Sequence, residues 1–311
     1  MLSKMKNIII YGIFIFIMGA AAMFNGCDNP APTELVQDNT TDPNPVQVEV
    51  IAKDTGDSYY SNGFDTTGVA GSLTGYTNII NVSGTKVTKN SITVNISFAQ
   101  AIFFDKSMPV HEPGGKLIGY HTMTPGVIKF NSIHARIIPY HVVFNNRGVR
   151  IDSILGYQYA LSSGPGNMFN QFKFEYNSSV SFQYIPMHGA PVSFDIQTPA
   201  EITGQVRLLG KRANGNLSAT LQWNKSNQKQ IEVILGVIPK GQILAIPLYK
   251  LDANDNGKLT IPAKLLNSIP PGRYDKIVIT FVRKYEKQIT GNGNNLYVLS
   301  QSIHSIILDI P

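Results

Sequence analysis

The spacing most like a ligand-binding motif lies at Asp252–Gly257, whose sequence is DANDNG. This segment begins like an EF-hand loop. In such a loop, oxygen atoms of alternate residues bind Ca²⁺, and a glycine permits the sharp turn. The twelfth position of such a loop carries a bidentate glutamate, but here it is Ala263, and Pro262 precedes it. Because the strongest ligand is missing and Asp-Asn-Gly is also typical of hairpins, we interpret the segment as a turn between two strands.

Histidines between residues 46 and 197 are the next candidates for chemistry. Five of the six lie there: His111, His121, His134, His141 and His188. Together with Asp105 and Glu112 they have the donor atoms of a zinc or copper site. None has a metal-ligand spacing such as His-x-x-x-His, and residues 134 and 141, seven apart, would face opposite sides of one strand. We therefore predict no metal and no cofactor.

Paired carboxylates for glycoside hydrolysis are the natural enzymatic hypothesis for a secreted β-protein. The acidic candidates between residues 46 and 197 are Asp54, Asp57, Asp65, Asp105, Glu112 and Glu175. No two of them form a recognisable acid-and-nucleophile pattern. A serine nucleophile elbow, Gly-x-Ser-x-Gly, is missing too, since Ala70 stands where the first glycine of Gly71-Ser72 should be. We predict a non-enzymatic protein with no catalytic residues.

Exposed aromatic rings are the remaining candidates for ligand contact. Tyr59, Tyr60 and Phe64 lie in a stretch rich in Gly, Ser and Asp. Rings in such a loop stack on sugars or anchor a protein partner, or else they pack under their own loop. Both interpretations remain open from the sequence.

The start of the chain has the layout of a secretory signal. Two lysines precede an apolar run from 8 to 24, which ends at Gly26-Cys27, and Cys27 is the only cysteine. Here the sequence resembles a bacterial lipoprotein signal, in which a small residue precedes the cysteine that is lipidated. The resemblance implies removal of residues 1–26 and a lipid on Cys27.

Two other interpretations of this start remain open. Cleavage after Ala20–Ala22 would leave Cys27 as a free thiol, or the apolar run would stay as a membrane anchor, although it is shorter than the ~20 residues needed to span. The polar, proline-containing tail after the cysteine favours the lipoprotein. Residues 27–45 then form the lipidated cysteine and a flexible tether, and the protein lies in the cell envelope, at the outer membrane, on its periplasmic face or at the cell surface.

Composition excludes several classes of protein. Charged residues make up 15% of the chain, which is too few for disorder caused by excess charge. The formal charge of +6 falls to +4 without the two lysines of the signal, and no basic run concentrates it, so no nucleic-acid partner is predicted. A single cysteine cannot form an internal disulfide.

Beyond the tether, alternating apolar and polar residues predict short strands. Ser91–Phe98 alternates throughout, and Phe172–Tyr176 and Val180–Tyr184 alternate on either side of a turn; residues 145–148 predict another hairpin. Only a short stretch near 263–266 has a helical period. The sequence therefore predicts an all-β protein of two antiparallel β-sandwich domains, 46–197 and 199–311.

The second domain resembles a fibronectin type III or related immunoglobulin-like domain. Leu217–Asn224 is similar to the second strand of that family, in which an inward Trp, here Trp223, anchors the core. Residues 230–237 would be the next strand, and 266–274 leads into the penultimate strand. The resemblance implies that Tyr274 forms a tyrosine corner. The whole layout is also similar to that of bacterial envelope lipoproteins.

We expect a lipid-anchored envelope protein that binds, adheres or assembles without catalysis, with an envelope protein or a glycan as its partner. The alternative is a carbohydrate-binding or glycan-processing lipoprotein whose site lies in the first domain. A shallow aromatic groove would indicate sugar binding, and two carboxylates at ~5–9 Å across a cleft would indicate hydrolysis. A broad exposed apolar patch would favour protein binding.

Overall fold

A computed structural model of the chain describes residues 47–50, 76–115, 117–146, 149–164, 172–243, 245–270, 272–291 and 294–311. The predicted lipid attachment at Cys27, the tether at 27–45 and the aromatic residues Tyr59, Tyr60 and Phe64 lie outside these residues. The described part is nearly all β, which confirms the predicted class. It contains no helix that is long and apolar enough to cross a membrane.

Among the described residues, ten strands precede the predicted domain boundary. They are β1 (Gln47–Val50), β2 (Asn78–Lys89), β3 (Ile92–His111), β4 (Leu117–Met123), β5 (Gly126–Phe130), β6 (Ile133–His134), β7 (Arg136–Asn146), β8 (Val149–Ser163), β9 (Ser179–Pro186) and β10 (Val192–Gln197). The elements after the boundary are β11 (Gly204–Leu209), β12 (Ser218–Trp223), β13 (Gln230–Pro239), β14 (Ile246–Asn254), β15 (Lys258–Ile261), the helix α1 (Ala263–Asn267), β16 (Tyr274–Gly291) and β17 (Asn294–Asp309).

One large sheet contains strands from both sides of the predicted boundary. Its order is β1-β14-β13-β16-β17-β2-β3-β8-β7, with β4 also paired to β3. All pairs are antiparallel except β17 and β2, which run parallel from Leu296 beside Asn78 to Ile307 beside Lys89. The sheet is therefore mixed, whereas the sequence predicted purely antiparallel sheets. Two parallel strands this far apart in the sequence are not joined by a tight turn, so no local sequence signal indicates that they pair.

Two smaller sheets, β10-β9-β5-β6 and β11-β12-β15, cover one face of the large sheet. The first encloses a core that includes Phe130 and Val298, and the second a core that includes Trp223 and Ile306. Val298 and Ile306 are eight residues apart on β17, so both project from the same face of that strand. We call this the inner face, and the two clusters the first core and the second core.

The second core follows the sequence prediction closely. Leu217, Ala219, Leu221 and Trp223 are all buried in it, as their alternation predicted. The predicted helical stretch near 263–266 is α1. Tyr274 is buried at the start of β16, and its corner hydrogen bond stays a prediction.

The predicted strand at 172–176 does not form, because in the described part of the chain these residues are not paired with any strand. Phe172 and Phe174 alternate into the first core, but the segment is held by contacts other than strand pairing. The N–H of Phe174 donates to Ser97 Oγ at 3.1 Å. A Cβ at Gly84 would lie 2.6 Å from the Phe174 ring, so this ring approaches β2 closely only because residue 84 is glycine.

Candidate binding surface

Apolar side chains are exposed at one end of the first core. Six of them are between 42% and 73% exposed, and we call this set the exposed patch: Met123, Val127, Ile137, Ile154, Tyr157 and Met187. They come from five different parts of the chain. Val127 projects from the outer face of the four-stranded sheet, because its neighbour Ile128 projects into the first core.

Met123 and Tyr157 project from the inner face of the large sheet. Met123 is paired with Phe103, which belongs to the first core. Tyr157 lies two residues before Tyr159, which also belongs to that core, so their side chains share a face. Phe103 and Tyr159 are covered by the four-stranded sheet, whereas Met123 and Tyr157 lie where that cover ends.

The edge strand β7 adds the next part of the patch. Ile137 pairs with Tyr159 and therefore faces the same side of the sheet. His141 is four residues further along β7 and pairs with Ile154 on β8. Because β7 is an edge strand of the sheet, β8 is its one neighbour among the described strands, and the other side of β7 is left uncovered by them.

The connection from β4 to β5 brings the remaining two residues to this region. The Tyr159 hydroxyl donates to Gly126 O at 2.5 Å and accepts from Gly126 N at 3.3 Å. Burial raises the pKa of this tyrosine, and the bond to Gly126 partly offsets that shift. The N–H of Met187 donates to Pro125 O, so Met187 lies against the same connection as Val127.

The histidines surround this patch instead of forming a cluster. His121 and His134 lie two and three residues from patch members, His141 is paired with one, and His188 follows Met187 directly. His111 ends β3. Among the described residues, no three His, Cys, Asp or Glu side chains are grouped as metal ligands would be.

One of the histidines around the exposed patch, His141, has a carboxylate partner. Nδ1 of His141 lies 2.8 Å from Asp152 Oδ1. Such a pair orients the base of a hydrolase, but a hydrolase also needs a nucleophile. No serine or threonine hydroxyl is hydrogen-bonded to His141 within the described part of the chain.

The acidic candidates for hydrolysis have local partners. Asp105 accepts hydrogen bonds from the backbone and hydroxyl of Ser107, and Glu175 lies 3.4 Å from Lys173. The acidic residues at 54, 57 and 65 lie outside the described residues. Sequence reasoning missed the exposed patch, because its members are apolar residues in strands or, for Met187, directly after one, and such residues are usually buried.

The calcium-like loop binds the protein's own side chains. The carboxylate of Asp255 is fully buried, 2.9 Å from Arg283 Nη2. It also accepts hydrogen bonds from Trp223 Nε1 at 2.8 Å and from the Ser226 hydroxyl at 2.6 Å. The loop joins β14 to β15, which confirms a turn between two strands, but these strands belong to different sheets, so the turn is not a hairpin. The ion pair with Arg283 draws Asp255 inward at this bend.

The segment between β10 and β11 is anchored to the inner face of β16 and β17. Arg283 Nη1 donates to Glu201 O at 2.9 Å, and the N–H of Ile202 donates to Ser302 Oγ at 2.8 Å. Arg283 is paired with Ser302 across the two strands. Polar residues therefore separate the first core from the second along this face.

His304 completes this group, which we call the polar junction: Asp255, Arg283, Ser302 and His304. Its Nδ1 accepts a hydrogen bond from Gly204 N at 2.8 Å, so the ring proton is on Nε2, 2.9 Å from Thr88 Oγ1. Burial lowers the pKa of His304, and the charge of Lys86 lowers it further, while Glu201 opposes both. The fold therefore requires a neutral imidazole here.

Comparison of the chain with protein-family models, with curated proteins and with solved structures finds no match.

Proposed function

We propose that this chain is a lipid-anchored cell-envelope protein, not an enzyme, that binds a protein partner through the exposed patch. The observation that carries the proposal is the group of six apolar side chains, each at least 42% exposed, at one end of the first core. Large exposed apolar patches are typical of protein–protein contact surfaces.

The composition of the patch supports a protein partner. Methionine and tyrosine, which are enriched in the centres of protein interfaces, supply half of its members. Burying the exposed half of one such side chain contributes about 1 kcal/mol. Six of them give a gross gain of about 6 kcal/mol, which offsets only part of the cost of association, so the partner must also contact surface around the patch.

We further propose that the chain consists of two β-sandwich modules, 46–197 and 199–311, that share the large sheet. Seven strands from β11 onward, three in the small sheet and four in the large one, support a fibronectin type III-like second module. In that module the strand of Trp223 is the second and β16 is the penultimate, as the resemblance implies. The polar junction and the shared β17 would hold the two modules as one rigid spacer.

The proposed tether would join the large sheet at the edge opposite β7. It leads into β1, which is one edge of the sheet, and β7 is the other edge. Eight strand spacings of about 4.8 Å separate the two edges, roughly 38 Å along the sheet. The β7 side of the patch would therefore lie about one sheet width from the edge at which the tether enters.

The anchor is tested by the variant Cys27→Ser. We expect the wild-type chain to enter the detergent phase of a phase-partitioning assay, because several acyl chains together give firm membrane binding. The variant should stay in the aqueous phase or accumulate as precursor. Unchanged partitioning of Cys27→Ser would contradict the lipoprotein proposal.

Binding is tested by photocrosslinking in cells that produce the chain. A crosslinkable residue at Met187, in the patch, should give a discrete adduct with a second protein. The control is a crosslinkable residue at Ile243, which is 91% exposed in the second half of the chain. No adduct from Met187, or the same adduct from both positions, would contradict the proposal.

One observation favours the second candidate, a carbohydrate-binding lipoprotein. The Tyr157 ring is 54% exposed beside β7, and an exposed ring of this kind can stack on a sugar. If glycans bind here, Tyr157→Ala should abolish glycan-array signals that Tyr157→Phe retains. A protein adduct from Met187 with no glycan signal would favour the first candidate.

A further inference from the structure

We infer that residues 51–75 dock on the outer face of the large sheet, which is the face opposite the inner one. These residues join β1 to the chain that leads into β2. Their docking is independent of the exposed patch and of the partner proposed for it. Three features of the described residues carry it: the direction of β1 and β2, the buried side chains of the outer face, and the position of Tyr76.

The connection from β1 to β2 joins two parallel strands of one sheet. From β1 through β14, β13 and β16 to β17 every pair is antiparallel, and β17 is parallel to β2, so β1 and β2 point the same way. Parallel strands cannot be joined by a hairpin and need a crossover. Five strand spacings of about 4.8 Å, roughly 24 Å, separate the two strands. The crossover therefore passes four other strands on one face of the sheet.

The handedness of this crossover selects the face. The N–H of Ile310, directly after β17, donates to Asp275 O of β16 at 3.0 Å, and Ile310 packs against the second core. Inward-facing positions of β17 therefore bond to β16. For L-residues this places β16 to the right of β17 when the inner face is viewed with β17 pointing up, so β1 lies further right and β2 lies left. Crossovers are almost always right-handed, and one that runs leftward is right-handed only behind the sheet, on its outer face.

The packing on the two faces leads to the same choice. The small sheet β11-β12-β15 covers the inner face of β13 and β16 through the second core. On the outer face Ile234, Val282 and Ile303 contact one another and are at most 4% exposed, although no described strand lies over them. A sheet face without a cover is open to water, so a further segment covers these three side chains. They belong to β13, β16 and β17, which are three of the four strands that the crossover passes.

The chain enters β2 from the outer face. Tyr76, the first described residue after the segment, is 8% exposed, and its ring centroid lies 5.2 Å from that of Tyr297. Tyr297 directly precedes Val298 on β17, and Val298 projects from the inner face, so Tyr297 projects from the outer face. The end of the segment is therefore on the face that the handedness selects.

The segment is long enough for this path. Val50 is in register with Thr88 through the intervening strands, ten residues past the first residue of β2. The path runs about 33 Å back along the strands and about 24 Å across them, which is roughly 41 Å. An extended segment of 25 residues reaches about 80 Å. Its aromatic residues, Tyr59, Tyr60 and Phe64, then pack on the sheet and are not available to a sugar or a protein partner.

Cysteine labelling tests this cover. The starting protein is the full chain with Cys27→Ser, and a single cysteine replaces Thr280, which projects from the outer face and is 2% exposed. A maleimide should react slowly with Thr280→Cys. Replacing Tyr59, Tyr60 and Phe64 together by serine should raise the rate at least about tenfold, because the cover then opens more readily.

Two control cysteines separate local uncovering from general unfolding. Ser300→Cys is on the inner face at a residue that is 1% exposed, and it should stay protected in the triple-serine variant. Thr260→Cys is at an exposed position and should react fast with and without the three aromatic residues. Fast labelling of Thr280→Cys with these residues in place, or an unchanged rate without them in a folded chain, would overturn the inference.

Photocrosslinking gives an answer even if the triple-serine variant unfolds. A crosslinkable residue at Phe64 in the otherwise wild-type chain should form an intramolecular crosslink to outward-facing residues of β13, β16 or β17, located by mass spectrometry. Crosslinks to the small sheet β11-β12-β15, crosslinks to a second protein, or no intramolecular crosslink would overturn the inference.

Discussion

The exposed patch and the polar junction use the same residue types in opposite surroundings. Beside the patch, His141 and Asp152 form a pair whose side chains are 48% and 54% exposed. At the junction, Asp255 and Arg283 form a pair whose side chains are 0% exposed. A pair in water is separated at little cost, whereas a buried pair leaves an uncompensated charge when one partner is lost. The junction therefore stabilises the fold, and the patch is available for binding.

The largest effect is expected at the buried pair. Asp255→Ala removes the partner of Arg283 and the acceptor of Trp223 Nε1, so it should lower the free energy of unfolding by about 3–5 kcal/mol. The measurement is urea unfolding followed by the fluorescence of Trp223. Replacing both charges, Asp255→Leu with Arg283→Met, should recover part of this loss. A loss below about 1 kcal/mol for Asp255→Ala would show that the junction contributes little.

A smaller effect, which depends on pH, is expected at His304. Its pKa is lowered in the fold, whereas a histidine in the unfolded chain has a pKa near 6.5. Below about pH 6.5 the unfolded chain therefore binds more protons, so stability should fall from there as the pH approaches the folded pKa.

A histidine variant separates this contribution from other titrations. His304→Gln, which can donate and accept but does not titrate, should flatten the pH dependence of unfolding between pH 7 and pH 5. An unchanged slope in His304→Gln would show that another group causes the acid sensitivity.

The smallest effect is expected at the exposed pair. Asp152→Asn removes a charge that lies 2.8 Å from His141 at the surface, so the free energy of unfolding should change by less than about 1 kcal/mol. Urea unfolding under the conditions used for Asp255→Ala gives the comparison. A loss as large as that of Asp255→Ala would mean that burial does not distinguish the two regions.

Local patterns predicted the parts of the fold that depend on neighbouring residues. The alternation of Leu217 to Trp223 correctly predicted a buried face, because inward side chains repeat every second residue in any strand. The same alternation at Phe174 predicted a strand that is absent, since burial of rings does not require a paired backbone. The parallel pairing of β17 with β2 has no local signal at all.

The candidate surface was beyond prediction for a related reason. Ile154 and Met187 are apolar residues in or beside strands, and their exposure depends on where the four-stranded sheet ends. The Asp252–Gly257 loop resembled a calcium site because the sequence shows residue types and spacing, but it does not show that Asp255, which lies between two ligand positions, binds the buried Arg283. The predictions for Cys27, Tyr59, Tyr60 and Phe64 fall outside the described residues and stay predictions.

The most direct test of partner binding combines a crosslink with a stability measurement. Ile154→Asp places a charge in the exposed patch at a side chain that is 59% exposed, so the free energy of unfolding should stay within about 0.5 kcal/mol of wild type. The same variant should abolish the adduct formed from Met187 in cells, while Ile243→Asp should leave it intact. An adduct that survives Ile154→Asp in a stably folded chain would contradict binding through the patch.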